Sequence, residues 1–206
     1  MQAPLIETVV IALAAYALGS VSFAVLISKL MALPDPRSYG SNNPGATNVL
    51  RTGNKLAAAM TLLGDAGKGA LAVGLTVLYT GENPASGLAA PLAGAMAFLG
   101  HLYPAFHGFR GGKGVATAAG VLLSLSLYLG LGTLATFGII VLFSRMISLA
   151  SIISAVFAVF WAWLLFGPAP ITPVVGAISL LLIWRHRENV RRLVSGTEPR
   201  LGEKKS

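Results

Sequence analysis

GVATAAGVLLSLSLYLGLGTLATFGIIVLFS, Gly114 to Ser144, runs for thirty-one residues without a charge. One straight helix of that length would be about 46 Å long and would overshoot the roughly 30 Å of hydrocarbon in a bilayer, while two full crossings need about forty residues. The flanking charges decide between these. Lys113 and Arg145 bracket the stretch, and if both lie on the positively charged side of a membrane, the chain crosses an even number of times between them. The stretch therefore reads as two short or tilted helices that turn near Gly130 to Gly132.

The other apolar runs extend this pattern outward. Upstream, Ala85 to Phe106 is a span carrying His101 near its end, preceded by the turn GENP, which holds Glu82 and no basic residue. Leu56 to Thr80 is interrupted by Asp65 and Lys68 in the run GDAGKG, three residues apart on one helical face. Charges inside a membrane segment are expensive, so these two are expected to pair or to face a polar cavity. Leu5 to Ser28 is the first span, with Glu7 the one charge before Lys29, so no cleaved signal peptide is expected. Downstream lie Met146 to Phe166, an outside turn at Gly167 to Pro170, and a short last span, Ile171 to Trp184. The expectation is an all-α polytopic integral membrane protein with seven transmembrane helices in a single membrane-embedded domain, residues 1–206. The spans fall near 5–28, 56–80, 85–106, 114–129, 133–144, 146–166 and 171–184.

Composition supports that class: 55% of the residues are hydrophobic and 11% charged, with a mean hydropathy of +0.75, outside the range of soluble domains. The absence of cysteine excludes disulfides, thiolate metal sites and a thioester intermediate on the chain. Three scattered histidines without His-x-x-x-His spacing argue against a metal site. A net charge of +8 would suggest nucleic acid in a soluble protein, but here it reports membrane orientation. In the seven-span layout all fifteen Lys and Arg fall on or beside one side, which places the N-terminus outside and the C-terminus in the cytoplasm.

Five glycine-rich or polar segments, 40–51, 64–69, 108–117, 144–151 and 185–198, converge on that charged face. HGFRGGKGVAT, His107 to Thr117, surrounds Lys113 with glycines. Backbone N–H groups and the start of a helix at Val115 would suit a bound oxyanion, although a plain turn between helices uses the same residues. It is not a nucleotide-binding P-loop, because Gly114 follows Lys113 where Ser or Thr would hold Mg²⁺. SNNPGATNVLR, Ser41 to Arg51, gathers neutral donors ahead of a guanidinium, a set suited to a phosphorylated polyol, or else to a turn and helix cap. SRMISLASI places Ser148 and Ser151 where helix caps are also common. WRHRENVRRLVSGTE brings His186 and Asn189 onto one helical face among arginines; an anchor on the positive side explains the arginines but not His186, Asn189 and Glu198.

With these segments in view, the sequence resembles the PlsY-type family of bacterial acyl-phosphate:glycerol-3-phosphate acyltransferases. The resemblance is carried by GSVSFAVLISKL at 19–30, GSNNPGATNVLRTG at 40–53, GDAGKG at 64–69, GHLYPAFHGFRGGKGVAT at 100–117, SLASI at 148–152 and RHRENVRRLVSGTE at 185–198. It implies a seven-span protein of the bacterial inner membrane whose active site faces the cytoplasm. The implied reaction moves a fatty acyl group from acyl phosphate to the 1-hydroxyl of glycerol 3-phosphate, giving lysophosphatidate and phosphate. No cofactor or metal is implied; membrane lipid surrounds the site, and an acyl-phosphate-producing enzyme is a candidate partner. On that resemblance Ser41, Lys113 and His186 are the expected catalytic residues. Thr47, Asn48, Arg51, Gly111, Gly112, Gly114, Ser148, Asn189 and Glu198 are the expected substrate-binding ones.

Four positions depart from the family pattern: Asn42 replaces a common glycine, Arg110 a common lysine, and Arg145 and Met146 stand in for smaller residues before Ser148. No His-x-x-x-x-Asp dyad of acyl-CoA-dependent acyltransferases is present, since Phe106, Gly112 and Arg191 follow the three histidines at that spacing. The rival reading is a secondary transporter of a small phosphorylated solute, suggested by Asp65, Lys68 and broken helices.

Overall fold

A computed structural model describes residues 5–202, and among these the regular structure is entirely helical. The chain opens with α1 (Leu5–Gly19) and α2 (Phe23–Leu30), two pieces of one apolar rod broken at 20–22. A loop and the short α3 (Ala46–Val49) lead to α4 (Lys55–Thr80), whose start is capped by Asn54 accepting the Ala57 N–H at 2.9 Å. Then follow α5 (Ala89–Leu102), α6 (Val115–Leu125), α7 (Leu127–Ser144), α8 (Ile147–Phe166), α9 (Ile171–Arg185) and α10 (Arg187–Val194). Four rods are long and apolar enough to cross a membrane: Leu5–Leu30 taken across its break, Lys55–Thr80, Leu127–Ser144 and Ile147–Phe166. The shorter α6 and α9 are also apolar.

The uncharged stretch does divide into two helices, but the expected turn at Gly130 to Gly132 is corrected to Ser126. Ser126 adopts an extended backbone, φ −161° and ψ 127°, and its hydroxyl accepts the Leu129 N–H to start α7. Both glycines lie inside α7 and serve packing. A Cβ on Gly130 would fall 2.5 Å from Leu123 Cα on α6, and one on Gly132 would fall 3.1 Å from the Trp161 ring on α8. A glycine needed for close approach and a glycine needed for a turn look alike in sequence.

The packing is built on small residues. A Cβ on Gly120 would lie 1.9 Å from the Ala66 carbonyl oxygen, so α6 crosses α4 backbone to backbone; Gly19 meets Ala97 in the same way between α1 and α5. In lipid there is no hydrophobic force between helices, and close van der Waals contact through small residues takes its place. The buried core runs through Phe98, Leu102, Val121, Leu125, Leu129, Ile171 and Val175. Large apolar side chains face outward: Leu78 and Phe143 are each 83% exposed, the reverse of a soluble domain.

Asp65 and Lys68 pair as expected, Nζ to Oδ1 at 3.0 Å. Lys68 Nζ also donates to the Val21 carbonyl at 2.6 Å, which lies in the break between α1 and α2. An interrupted backbone inside a membrane protein is tolerated where protein groups satisfy it.

The close α4–α6 crossing predicts an asymmetry between two glycines. Gly120→Ala should destabilise the protein by about 1–3 kcal/mol through overpacking. Gly138→Ala, where a Cβ meets open space, should be neutral or stabilising by up to about 1 kcal/mol. Thermal unfolding of the two variants in detergent measures the difference.

Candidate active site

The chain leaves α9 at Arg185, kinks at His186 and resumes as α10, which buries Asn189. The Asn189 amide then joins two distant segments. Its Oδ1 accepts a short hydrogen bond from Lys113 Nζ, and its Nδ2 donates to Glu198 Oε1 at 2.7 Å. Glu198 also accepts from Ser148 Oγ at 2.6 Å and from Arg192 Nε at 2.7 Å. Four of the residues singled out in the sequence, Lys113, Ser148, Asn189 and Glu198, therefore form one continuous network.

Burial opposes ionisation of Glu198, but the hydrogen bonds from Ser148, Asn189 and Arg192 outweigh it and hold the carboxyl below its usual range. Lys113 is pushed down to about 8, chiefly by burial and then by Arg192, with Glu198 pulling the other way. His186 is driven to about 4, again mainly by burial, with Lys113 and Arg185 adding repulsion against the favourable bond to Leu182. Its Nδ1 lies 2.8 Å from the Leu182 carbonyl. A carbonyl only accepts, so Nδ1 carries the proton and Nε2 is the bare nitrogen of a neutral ring.

The glycine loop departs from expectation in one respect. The amides of Gly111 and Gly112 do not turn toward an anion. They donate to the Leu102 and His101 carbonyls at the end of α5, at 3.2 and 3.1 Å. Their own carbonyls accept from Arg185, at 2.8 Å for Gly111 and 3.1–3.2 Å for Gly112. The reason is that a helix end leaves carbonyls without partners, and a glycine segment can lie flat enough to supply the donors. Any anion here is left with Lys113, Gly114 and the first turn of α6, whose N–H groups have no acceptor within the helix. Gly114 takes a left-handed φ of 83°, and a Cβ there would collide with the Phe98 ring at 2.3 Å. Arg185, absent from the expected site residues, clamps the loop and lies 5.5 Å from the centroid of the Tyr103 ring. In the sequence it looked like any other arginine after a membrane span.

The first polar strip forms a separate platform. Asn48 is buried, and its amide is fully occupied: Oδ1 accepts the Ser41 N–H at 3.1 Å, and Nδ2 donates to the carbonyls of Pro36 at 2.7 Å and Tyr39 at 3.1 Å. Asn42 adopts a left-handed φ of 53°, the conformation that a glycine would otherwise supply and that asparagine tolerates. Ser41, Thr47 and Arg51 are left exposed on this platform. Among the described residues no hydrogen bond or ion pair ties it to Lys113, Asn189 or Glu198. It nevertheless borders the second strip, because Arg37 and Asp35 act electrostatically on His107.

Arg145 closes α7 in the left-handed region, φ 58°. Its carbonyl accepts the Leu201 N–H at 2.7 Å, and its guanidinium donates to the Leu201 carbonyl at 2.6 Å. The tail beyond Glu198 is thus tied to the α7–α8 junction that carries Ser148.

Known proteins share this sequence pattern and this fold. The family model described as glycerol-3-phosphate acyltransferase matches residues 9–196. A glycerol-3-phosphate acyltransferase of Ralstonia nicotianae is 58% identical over 200 residues, covering 97% of each chain. One from Cupriavidus necator is 57% identical over 197 residues, covering 94% of this chain and 96% of the relative. Crystal structures of PlsY, an integral membrane glycerol 3-phosphate acyltransferase, superpose with TM-scores of 0.89 for the glycerol 3-phosphate form and 0.87 for the lysophosphatidic acid form. They share 36% and 35% identity with this chain and cover 95% of it and 96% of the solved chain. With a family match over nearly its whole length, the chain belongs to the glycerol-3-phosphate acyltransferase family, as an integral membrane protein of the PlsY type.

Proposed function

We propose that the protein acylates the 1-hydroxyl of glycerol 3-phosphate with acyl phosphate as donor, by direct attack and without an acyl-enzyme. The observation that carries the reading is the Lys113–Asn189–Glu198–Ser148 network at the start of α6. A phosphate carries a charge of roughly −1.5 to −2 near neutrality, so seating two substrates needs several cations. Lys113, Arg192 and the exposed Arg51 supply them. Lys113, Gly114 and the first turn of α6 hold one phosphate. Ser41, Thr47 and Arg51 face the other, with Asn48 fixing their loop and Gly111 and Gly112 fixing Lys113. Ser148 and Glu198 orient Asn189 between these two sets.

In the reaction the substrate hydroxyl oxygen bonds to the acyl carbon, the bond from that carbon to the phosphate oxygen breaks, and inorganic phosphate departs. The hydroxyl proton needs an acceptor. A general base works best with a pKa near the working pH, and a phosphate with a second pKa near 6 fits better than His186 at about 4. Neutral His186, held through Nδ1 by the Leu182 carbonyl, is then left with a positioning part at the kink between α9 and α10. Catalysis is mainly alignment and charge neutralisation.

The same reading assigns seven crossings, from the α1–α2 rod, α4, α5, α6, α7, α8 and α9, in one domain. The N-terminus is outside, and the site faces the cytoplasm at the inner membrane. An acyl-phosphate-producing enzyme is the partner that would supply the donor. The transporter alternative loses its footing, because Asp65 and Lys68 are occupied with each other and with protein groups.

Detergent-purified protein should release phosphate from palmitoyl phosphate only when glycerol 3-phosphate is present; uptake into proteoliposomes without release would favour transport. His186→Ala should cost less than about tenfold in kcat across the pH profile, since a side-chain base typically contributes 10²- to 10⁴-fold. Lys113 binds an anion in its protonated form, so substrate affinity should be full below about pH 8 and fall as pH rises through that value. Lys113→Arg should remove this alkaline rise in KM even though its different fork geometry lowers kcat.

A further inference from the structure

Three ionisable side chains that acyl transfer leaves unused lie almost fully buried beneath the glycine loop: Asp65 and Lys68 at 2% exposure each and His101 at 7%. Buried ions cost several kcal/mol each unless closely paired, and an apolar replacement is often at least as stable. Their arrangement points to a task other than stability. Lys68 is pinned by the Val21 carbonyl at 2.6 Å and pairs with Asp65 at 3.0 Å, and His101 Nδ1 stands 3.4 Å from the same carboxylate oxygen. The break between α1 and α2, one face of α4 and the end of α5 are thereby joined at a single level of the bundle.

His101 is the member of this group that reaches the loop, and it does so twice. Its carbonyl accepts the Gly112 N–H. Its ring lies so close to Gly112 that a Cβ there would fall 2.2 Å from Nε2. Arg185 in turn holds the carbonyls of Gly111 and Gly112. A segment without side chains is thus held by both an imidazole and a guanidinium, and Lys113 is the next residue along.

We propose that His101, oriented by Asp65 and Lys68, is a positioning residue for acyl transfer: it sets the height of the glycine loop and, through it, the placement of Lys113. The proposal rests on Lys113 holding a substrate phosphate. Small displacements matter here, since a misplacement of about 1 Å can cost on the order of 10²-fold in rate.

Asp65→Asn would strand a buried ammonium and lower stability, so the test uses His101→Asn. That variant keeps a donor for Asp65 and leaves the ion pair intact, but it removes the ring face against Gly112. Expected is a loss of about 10- to 100-fold in kcat with little change in the KM for glycerol 3-phosphate. In a Lys113→Ala background the same substitution should cost almost nothing further, because groups that act as a unit are not additive. His101→Gln, read through the same cycle, serves if the Asn variant does not fold. Wild-type kcat in either variant, or a double variant losing the product of the two single factors, overturns the proposal. Full activity of Lys113→Ala would overturn the phosphate-holding reading itself, and this one with it.

Discussion

The carboxylate of Glu198 is the interaction on which the site depends. It accepts hydrogen bonds from Ser148 on α8 and from Asn189 and Arg192 on α10, and through Asn189 it reaches the lysine that precedes α6. Helices in lipid have little to hold them in register, because van der Waals contact between small residues tolerates sliding and rotation. An ionised group with three donors from two helices does not. The small-residue crossings bring the helices together, and the polar network at one end selects a single arrangement among those the crossings allow.

A second layer follows the same logic below the first. The Asp65, Lys68 and His101 group joins α4 and α5 to the interrupted first rod, as the Glu198 group joins α8 and α10 to the second strip. The glycine loop lies between the two layers and has no side chains with which to anchor itself. Its backbone donates to α5 and accepts from Arg185, so its glycines are explained by tight contact on both faces. The amides of Gly111 and Gly112 are thereby spent on α5 and are not left open as a cradle.

Much of this was readable in the residues. Uncharged runs bounded by Lys and Arg locate the apolar helices, because the cost of burying a charge in lipid is large and local. Asn189 and Glu198 stood out as polar residues that an anchoring role did not explain, whereas Lys113 and Ser148 were singled out by the strips that hold them and by the family resemblance. The turn at Ser126 was missed because glycine serves close packing as well as turning, and Gly130 and Gly132 serve packing. Asn48 looked like a ligand, yet its amide is wholly engaged in its own loop. Arg185 was missed because its signal is identical to that of the arginines which merely mark a side of the membrane. Each miss concerns a partner more than fifty residues distant or a choice between two uses of one residue type, and neither is encoded locally.

The attachment of the tail through Leu201 to Arg145 has a bearing on how the protein is made. Every other member of the Glu198 network is synthesised earlier, so helices emerging from the ribosome can insert and pack before the carboxylate exists. The polar network is then completed only after α1 to α10 have been made. Until Glu198 is made, Lys113, Asn189 and Arg192 stand without the carboxylate that joins them, so the helices can enter the bilayer before their polar end is ordered.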